Sequence, residues 1–334
     1  MTTNVKKIGV IGAGAWGTAL AHVQAVAGRD VTLWAREESV KTAIDETHEN
    51  SVYLPGVKLH EGITVTNSLS DLHGSDIILV VTPAQYTRST LEGLRHDSMD
   101  NVPIVICSKG IEIETGQMLS QVVAEALPSS IPAVMTGPCF AREVALGLPT
   151  GVTIACADKD VAKELANDLG CRNLRPYVTS DILGAQIGAA VKNVLAIACG
   201  ALYGMKMGEN AKAALITRGI AEMGRLAKAM GANDKTLMGM CGFGDVMLTC
   251  SSMQSRNFSL GAMLGEGKSL EEILGERKSV TEGVHTARAL KKLAYDNAVD
   301  MPIADTVYYV LCEDMPLDKG VEQLLDRPFA KKSG

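Results

Sequence analysis

The sequence predicts an α/β protein in two parts, a doubly wound, mostly parallel sheet in its N-terminal half and an all-helical C-terminal half. Three observations lead there. The apolar run 8–11 is followed directly by a glycine-patterned turn, Gly12-x-Gly14-x-x-Gly17, and then by a segment rich in alanine and leucine. Short β-branched runs then recur at intervals long enough to hold crossover helices. After about Ser180 that rhythm stops, and apolar residues fall at helical spacing instead.

Taken in chain order, strands are predicted at 8–11, 31–34, 77–81, 104–107, 133–135 and 152–155. Residues 181–203 form one Gly/Ala-rich apolar stretch. Its length would allow a bilayer span, but Gln186, Lys192 and Asn193 lie near its middle, where a charge in lipid is costly. A buried helix and no membrane span are therefore expected. Residues 210–230 place Ile216, Ile220, Met223, Ala227 and Met230 on one helical face, with Asn210 as the expected cap. The predicted division is a dinucleotide-binding domain over 1–180 and a helical substrate-binding and catalytic domain over 181–334.

Composition narrows the function classes. A chain of 334 residues, 46% hydrophobic, can bury a large core. Its formal net charge of −6 argues against a nucleic-acid or anionic-membrane binder, so an anionic substrate must meet a local basic cluster. The eight cysteines are scattered without a CxxC metal pattern or a disulfide framework. Reduced thiols, no metal and a cytoplasmic location are expected. The opening MTTNVKK runs into the glycine strand without an apolar signal region.

The glycine turn carries the first functional expectation. Gly12 permits the tight turn, Gly14 lets the backbone approach a pyrophosphate, and Gly17 allows close helix–strand packing. Strand, turn and helix in this order form a Rossmann-type cradle, with Ala15 and Trp16 in the first helical turn facing the phosphates. The second strand ends in "TLWAREE", where an acidic residue would bind a ribose 2′-hydroxyl and an arginine a 2′-phosphate. Arg36 comes first, with Glu37 and Glu38 behind it. NADP(H) is favoured and NAD(H) stays open.

Hydride transfer to a carbonyl leaves negative charge on oxygen, which calls for a proton donor or a cation. Of six histidines only His285 lies in the helical half. Lys192, the one charged residue within 182–203, is the better candidate, since burial lowers a lysine toward proton-exchanging range. Lys109 follows the strand at 104–107, at the edge where ligands of such sheets bind. "TGPCFAREV" places a Gly-Pro turn after another strand. "GFGDVMLTCSSMQSRNFSLG" joins a glycine-rich bend, the carboxylate of Asp245, and Ser255-Arg256-Asn257, a trio suited to phosphate.

Together "GAGAWGTAL", "SKGIE", "TGPCFARE", "GLPT", "AVKNVLAIACG", "ALITRGIAEM", "GFGD" with "LTC", "SRN" and "VTEG" resemble the NAD(P)-dependent glycerol-3-phosphate dehydrogenases of the bacterial type, over 7–314. The resemblance implies reversible reduction of dihydroxyacetone phosphate to sn-glycerol 3-phosphate for glycerophospholipid synthesis; a homodimer through the helical half is the expected assembly. It implies Lys192 as proton donor or acceptor, Lys109 beside substrate and cofactor, and Asp245 orienting the lysine and substrate. Ser255, Arg256 and Asn257 would hold the substrate phosphate, with Arg256 also near the cofactor. Gly137 and Cys139 would contact substrate, Ala141 the nicotinamide side, and Val280 and Glu282 would close over the cofactor.

Three positions depart from the family pattern. Cys139 stands where Ser or Thr is usual, replacing a hydroxyl by a weak thiol donor. Ala15 stands where Ser is common, and Gly242-Phe243-Gly244 replaces the usual Gly-Leu-Gly. Two rival readings stay open: another two-domain dehydrogenase, acting on a 3-hydroxy acid or sugar acid, and a nucleotide-sensing module without catalysis, which would have no need of Lys109, Lys192 and Asp245.

Overall fold

Eight strands form one sheet in the computed structural model, which describes residues 5–276 and 281–327. They are β1 (Lys7–Ile11), β2 (Asp30–Trp34), β3 (Ile63–Thr66), β4 (Ile77–Val80), β5 (Pro103–Ile106), β6 (Ile131–Thr136), β7 (Thr150–Cys156) and β8 (Leu174–Thr179). The spatial order is β3-β2-β1-β4-β5-β6-β7-β8. All neighbouring pairs are parallel except β6–β7, which is antiparallel. The strand order reverses between β1 and β4, and the carboxyl ends there open the crevice in which doubly wound sheets bind ligands.

All six predicted strands are present. The two that the sequence pattern missed, β3 and β8, are the sheet's two edges. Edge strands bury fewer side chains, so their apolar signal is weak. β8, with Arg175 and Pro176 in its sequence LRPYVT, is mostly exposed, and proline is tolerated where no neighbour needs its N–H.

Around and after the sheet run the helices α1 (Ala15–Val26), α2 (Glu38–Thr47), α3 (Thr87–Leu94), α4 (Leu119–Ala126), α5 (Ala141–Ala145) and α6 (Lys159–Leu169). The second half holds α7 (Ile182–Gly204), α8 (Gly208–Ala229), α9 (Asp234–Leu237), α10 (Asp245–Thr249) and α11 (Arg256–Gly265). It ends with α12 (Leu270–Gly275), α13 (Glu282–Asp296), α14 (Pro302–Cys312) and α15 (Leu317–Leu325). One expectation fails here. Asn210 does not cap α8, because the connection from α7 is only Met205, Lys206 and Met207, and the helix is already under way at Gly208 with no side-chain cap. Asp181, by contrast, caps α7 by accepting from the Gly184 N–H at 2.8 Å.

α7 is the axis of the helical half. It is long and apolar enough to cross a membrane, with mean hydropathy 1.6, yet 89% of that stretch is buried inside the protein. Its glycines have a packing reason. A Cβ on Gly200 would lie 2.0 Å from the Phe258 carbonyl oxygen, and one on Gly204 2.1 Å from that of Ala262. Across the seam, a Cβ on Gly261 would lie 2.0 Å from the Ile197 oxygen and one on Gly265 2.3 Å from that of Ala201. Backbone meets backbone along α7 and α11, a closeness that only small residues allow. At its start α7 is tied to the sheet half through Gln186, which accepts from the Ser120 N–H at 2.9 Å and donates to the Ser120 hydroxyl at 2.8 Å.

Candidate active site

Four side chains from different parts of the chain meet at the crevice. Lys109 follows β5, on a loop pinned by the Ser108 hydroxyl, which donates to the Val80 and Thr82 carbonyls at 3.2 and 2.5 Å. Lys192 projects from mid-α7. Asp245 opens α10 directly after a π-helical turn, Met240–Gly244, and a helix N-terminus favours its negative charge. The Lys109 ammonium donates to Asp245 Oδ2 at 2.7 Å and to the Gly137 carbonyl at 3.1 Å. Lys192 donates to Asp245 Oδ1 at 2.9 Å and to the Thr249 hydroxyl at 2.8 Å, and that hydroxyl donates to Asp245 Oδ1 at 3.1 Å.

One carboxylate lies between two ammonium groups in a buried place, and this sets their protonation. Burial works against ionising Asp245, but Lys109 and Lys192 outweigh it and hold the carboxyl below its usual range. Burial also opposes charge on Lys109, where Asp245 prevails and raises it. For Lys192 burial prevails over Asp245, the like charge of Lys109 adds to it, and the amine falls to about 8. The cluster therefore contains one lysine that stays charged and one that exchanges a proton near neutrality.

The other expected residues stand close by. The Cys139 thiol senses Lys109, Asp245 and Lys192, and burial pushes it up to about 12, so it stays a neutral thiol at physiological pH. Ser255 caps α11, accepting from the Phe258 N–H at 3.2 Å. Asn257 donates to Asn193 Oδ1 at 2.9 Å and accepts from the Gly283 N–H at 3.0 Å. Its amide is thus engaged at both ends within the protein, leaving one N–H to offer. Arg256 opens α11 with Glu282 as a nearby opposite charge. Ala141 begins α5. Val280 lies outside the described residues.

The glycine turn fits a dinucleotide. Gly12 has φ +113°, and a Cβ on Gly17 would lie 1.8 Å from the Gly12 oxygen, so both positions require glycine. Gly14 is the N-cap of α1, makes no side-chain cap, and has nothing within 4 Å of where a Cβ would stand. That open space at a helix N-terminus suits a pyrophosphate. Beside it the Trp16 indole N–H is buried with no hydrogen-bond partner among the described residues, as is Glu282 Oε2. Glu282 Oε1 accepts from the Ala84 N–H at 3.2 Å, which joins α13 to the loop after β4. Burial lifts the Glu282 carboxyl to about 7, against the pull of that N–H and of Arg256.

Sequence reasoning missed several residues here. Thr249 follows Asp245 by one helical turn, a spacing that could have signalled a shared face. Asn193, next to Lys192, donates to the Lys109 carbonyl at 3.4 Å. Asn50 braces the glycine turn, donating to the Ala13 carbonyl and the Thr18 hydroxyl, both at 2.8 Å. No local pattern marks Asn50, because its partners lie more than 30 residues away.

Fold and site together define a two-domain NAD(P)-dependent oxidoreductase acting on a CH–OH group. The description "NAD-dependent glycerol-3-phosphate dehydrogenase N-terminus" matches residues 7–162, and its C-terminus counterpart matches 181–322. The chain belongs to the NAD-dependent glycerol-3-phosphate dehydrogenase family. It is 51% identical over 333 residues, the whole of both chains, to glycerol-3-phosphate dehydrogenase [NAD(P)+] of Parvibaculum lavamentivorans. It is 52% identical over 324 residues, 97% of each chain, to the protein of that name from Maricaulis maris. The crystal structure of glycerol-3-phosphate dehydrogenase from Coxiella burnetii superposes with a TM-score of 0.92 at 36% identity, covering 97% of this chain and 99% of that one.

Proposed function

We propose that this chain catalyses the reversible reduction of dihydroxyacetone phosphate to sn-glycerol 3-phosphate, the backbone precursor of glycerophospholipids. The observation that carries this reading is the Lys109–Asp245–Lys192 cluster beyond the carboxyl end of β5. When bound, the nicotinamide supplies or accepts the hydride. Lys192 gives its proton to the carbonyl oxygen in the reducing direction and takes it back from the hydroxyl in the oxidising direction. Asp245 and Thr249 hold its amine in place. Lys109 remains charged and offsets the charge that develops on substrate oxygen. Ser255, Arg256 and Asn257 form the phosphate end, with Arg256 reaching toward the cofactor, and Gly137 and Cys139 line the substrate. Gly12, Gly14, Ala15, Trp16 and Gly17 hold the pyrophosphate, Arg36 reads a 2′-phosphate, and Ala141, Val280 and Glu282 enclose the nicotinamide side.

NADPH is accordingly the favoured cofactor, with NADH as alternative. We read the chain as units 1–180 and 181–334, a division supported by β8 ending at Thr179 and α7 starting at Ile182. A cytoplasmic homodimer completes the reading.

The test is cofactor oxidation with dihydroxyacetone phosphate, set against unphosphorylated dihydroxyacetone and small 2-oxo acids. Arg256→Ala should raise KM for the phosphorylated ketone roughly ten- to 150-fold, the equivalent of about 1.5–3 kcal/mol of lost charge-assisted contact. An unchanged KM, or equal turnover with a 2-oxo acid, would reject the assignment. Light scattering on the eluting peak of a sizing column decides the dimer.

A further inference from the structure

The charged turn after β2 meets an aromatic side chain from the far side of β1. Arg36 is exposed, and among the described residues it makes no ion pair. Its guanidinium carbon lies 5.7 Å from the centre of the Tyr86 ring. Tyr86 ends the short 3-10 turn Ala84–Tyr86 that leaves β4, and it is 51% exposed. Since β2 and β4 flank β1 on opposite sides, the pair spans the crevice over the glycine turn, where a dinucleotide would lie. Glu37 is near enough to Tyr53 for its charge to add to the effect of burial in raising that hydroxyl's pKa. Of the three charged side chains Arg36, Glu37 and Glu38, the cation is the one seated against the Tyr86 ring.

We propose that Tyr86 is a cofactor-selectivity residue, which holds the Arg36 guanidinium by its flat face so that the N–H edge stays free for the 2′-phosphate of NADPH. This rests on the reading of Arg36 given above and names what positions it. Stacking uses the face of the guanidinium, whereas hydrogen bonding to phosphate uses its in-plane donors, so both are satisfied at once. A side chain already held in its binding orientation loses less freedom when ligand arrives. NADH presents only a hydroxyl at that place, so it gains little from the arrangement.

The test is direct binding of NADPH and NADH to the full chain, followed by nicotinamide fluorescence at one fixed ionic strength. Tyr86→Leu should weaken NADPH about two- to fivefold and leave NADH unchanged, while Tyr86→Phe keeps the parent ratio. Arg36→Ala should weaken NADPH about five- to thirtyfold, and adding Tyr86→Leu to it should change the ratio no further. Equal losses for both cofactors in Tyr86→Leu would mean that Tyr86 supports the adenosine they share. No loss for either would mean that the stack is idle. Both outcomes overturn the proposal while leaving Arg36 its role if Arg36→Ala still loses NADPH selectively. A cofactor ratio unchanged in Arg36→Ala overturns the reading of Arg36 and the role of Tyr86 with it. Thermal melts of each variant establish that the fold is retained.

Discussion

Lys192 owes its lowered pKa to its place. On a solvated helix its amine would stay charged throughout the physiological range, and inside α7 it falls to about 8. In the proposed mechanism ketone reduction requires the protonated amine, so kcat/KM in that direction should fall as pH rises past about 8, and alcohol oxidation should rise through the same value. Asp245 works to keep that proton on, so Asp245→Asn should move both breaks to lower pH. Pre-steady-state or steady-state profiles in both directions measure this, and a break that stays put would take Lys192 out of the proton path. Lys192→Ala should retain cofactor binding while turnover drops roughly two to four orders of magnitude. A variant with more than about a tenth of parental turnover is incompatible with the role.

At the scale of elements, the value of a glycine depends on what faces it. Gly200 in α7 and Gly224 in α8 are both helical, and sequence alone gives no reason to treat them differently. A Cβ at Gly200 would meet the Phe258 oxygen at 2.0 Å, while one at Gly224 would meet nothing within 4 Å. Gly200→Val should therefore cost about 3 kcal/mol by forcing α7 and α11 apart. Gly224→Ala should gain about 0.5–1 kcal/mol from lower chain entropy in the unfolded state. Urea unfolding of the two variants checks both signs. Equal effects would mean that the α7–α11 seam can relax.

For the whole molecule, stability is coupled to pH through a buried carboxyl remote from the catalytic cluster. Glu222 on α8 caps α14, accepting from the Ile303 N–H at 2.9 Å and the Ala304 N–H at 3.3 Å. Burial lifts it from its ordinary 4.5 to about 7, against the pull of those two N–H groups. Between these values the folded chain keeps a proton that the unfolded chain has released, so stability falls as pH rises from about 4.5 to 7 and levels off above. Glu222→Gln should flatten that part of the profile. Glu282 contributes with the same sign, so the quantity to measure is the difference between variant and parent in melting temperature against pH. Parallel curves would show that Glu222 does not titrate in this window.

By itself the sequence determined the glycine turn, the six inner strands, the helical second half and the buried fate of α7. Each of these is written in local periodicity or in a motif a few residues long. It also singled out Lys109, Lys192 and Asp245, while their separate roles came through the resemblance of the surrounding motifs to a known family. The tertiary structure decided what depends on distance across the chain. It placed the edge strands β3 and β8, whose exposed faces leave little apolar pattern. It joined Asp245 to lysines 136 and 53 residues away, and brought Tyr86 over Arg36 from another strand's loop. The shift of Lys192 belongs to this second group, because it comes from burial and from a neighbouring charge, and the fold supplies both.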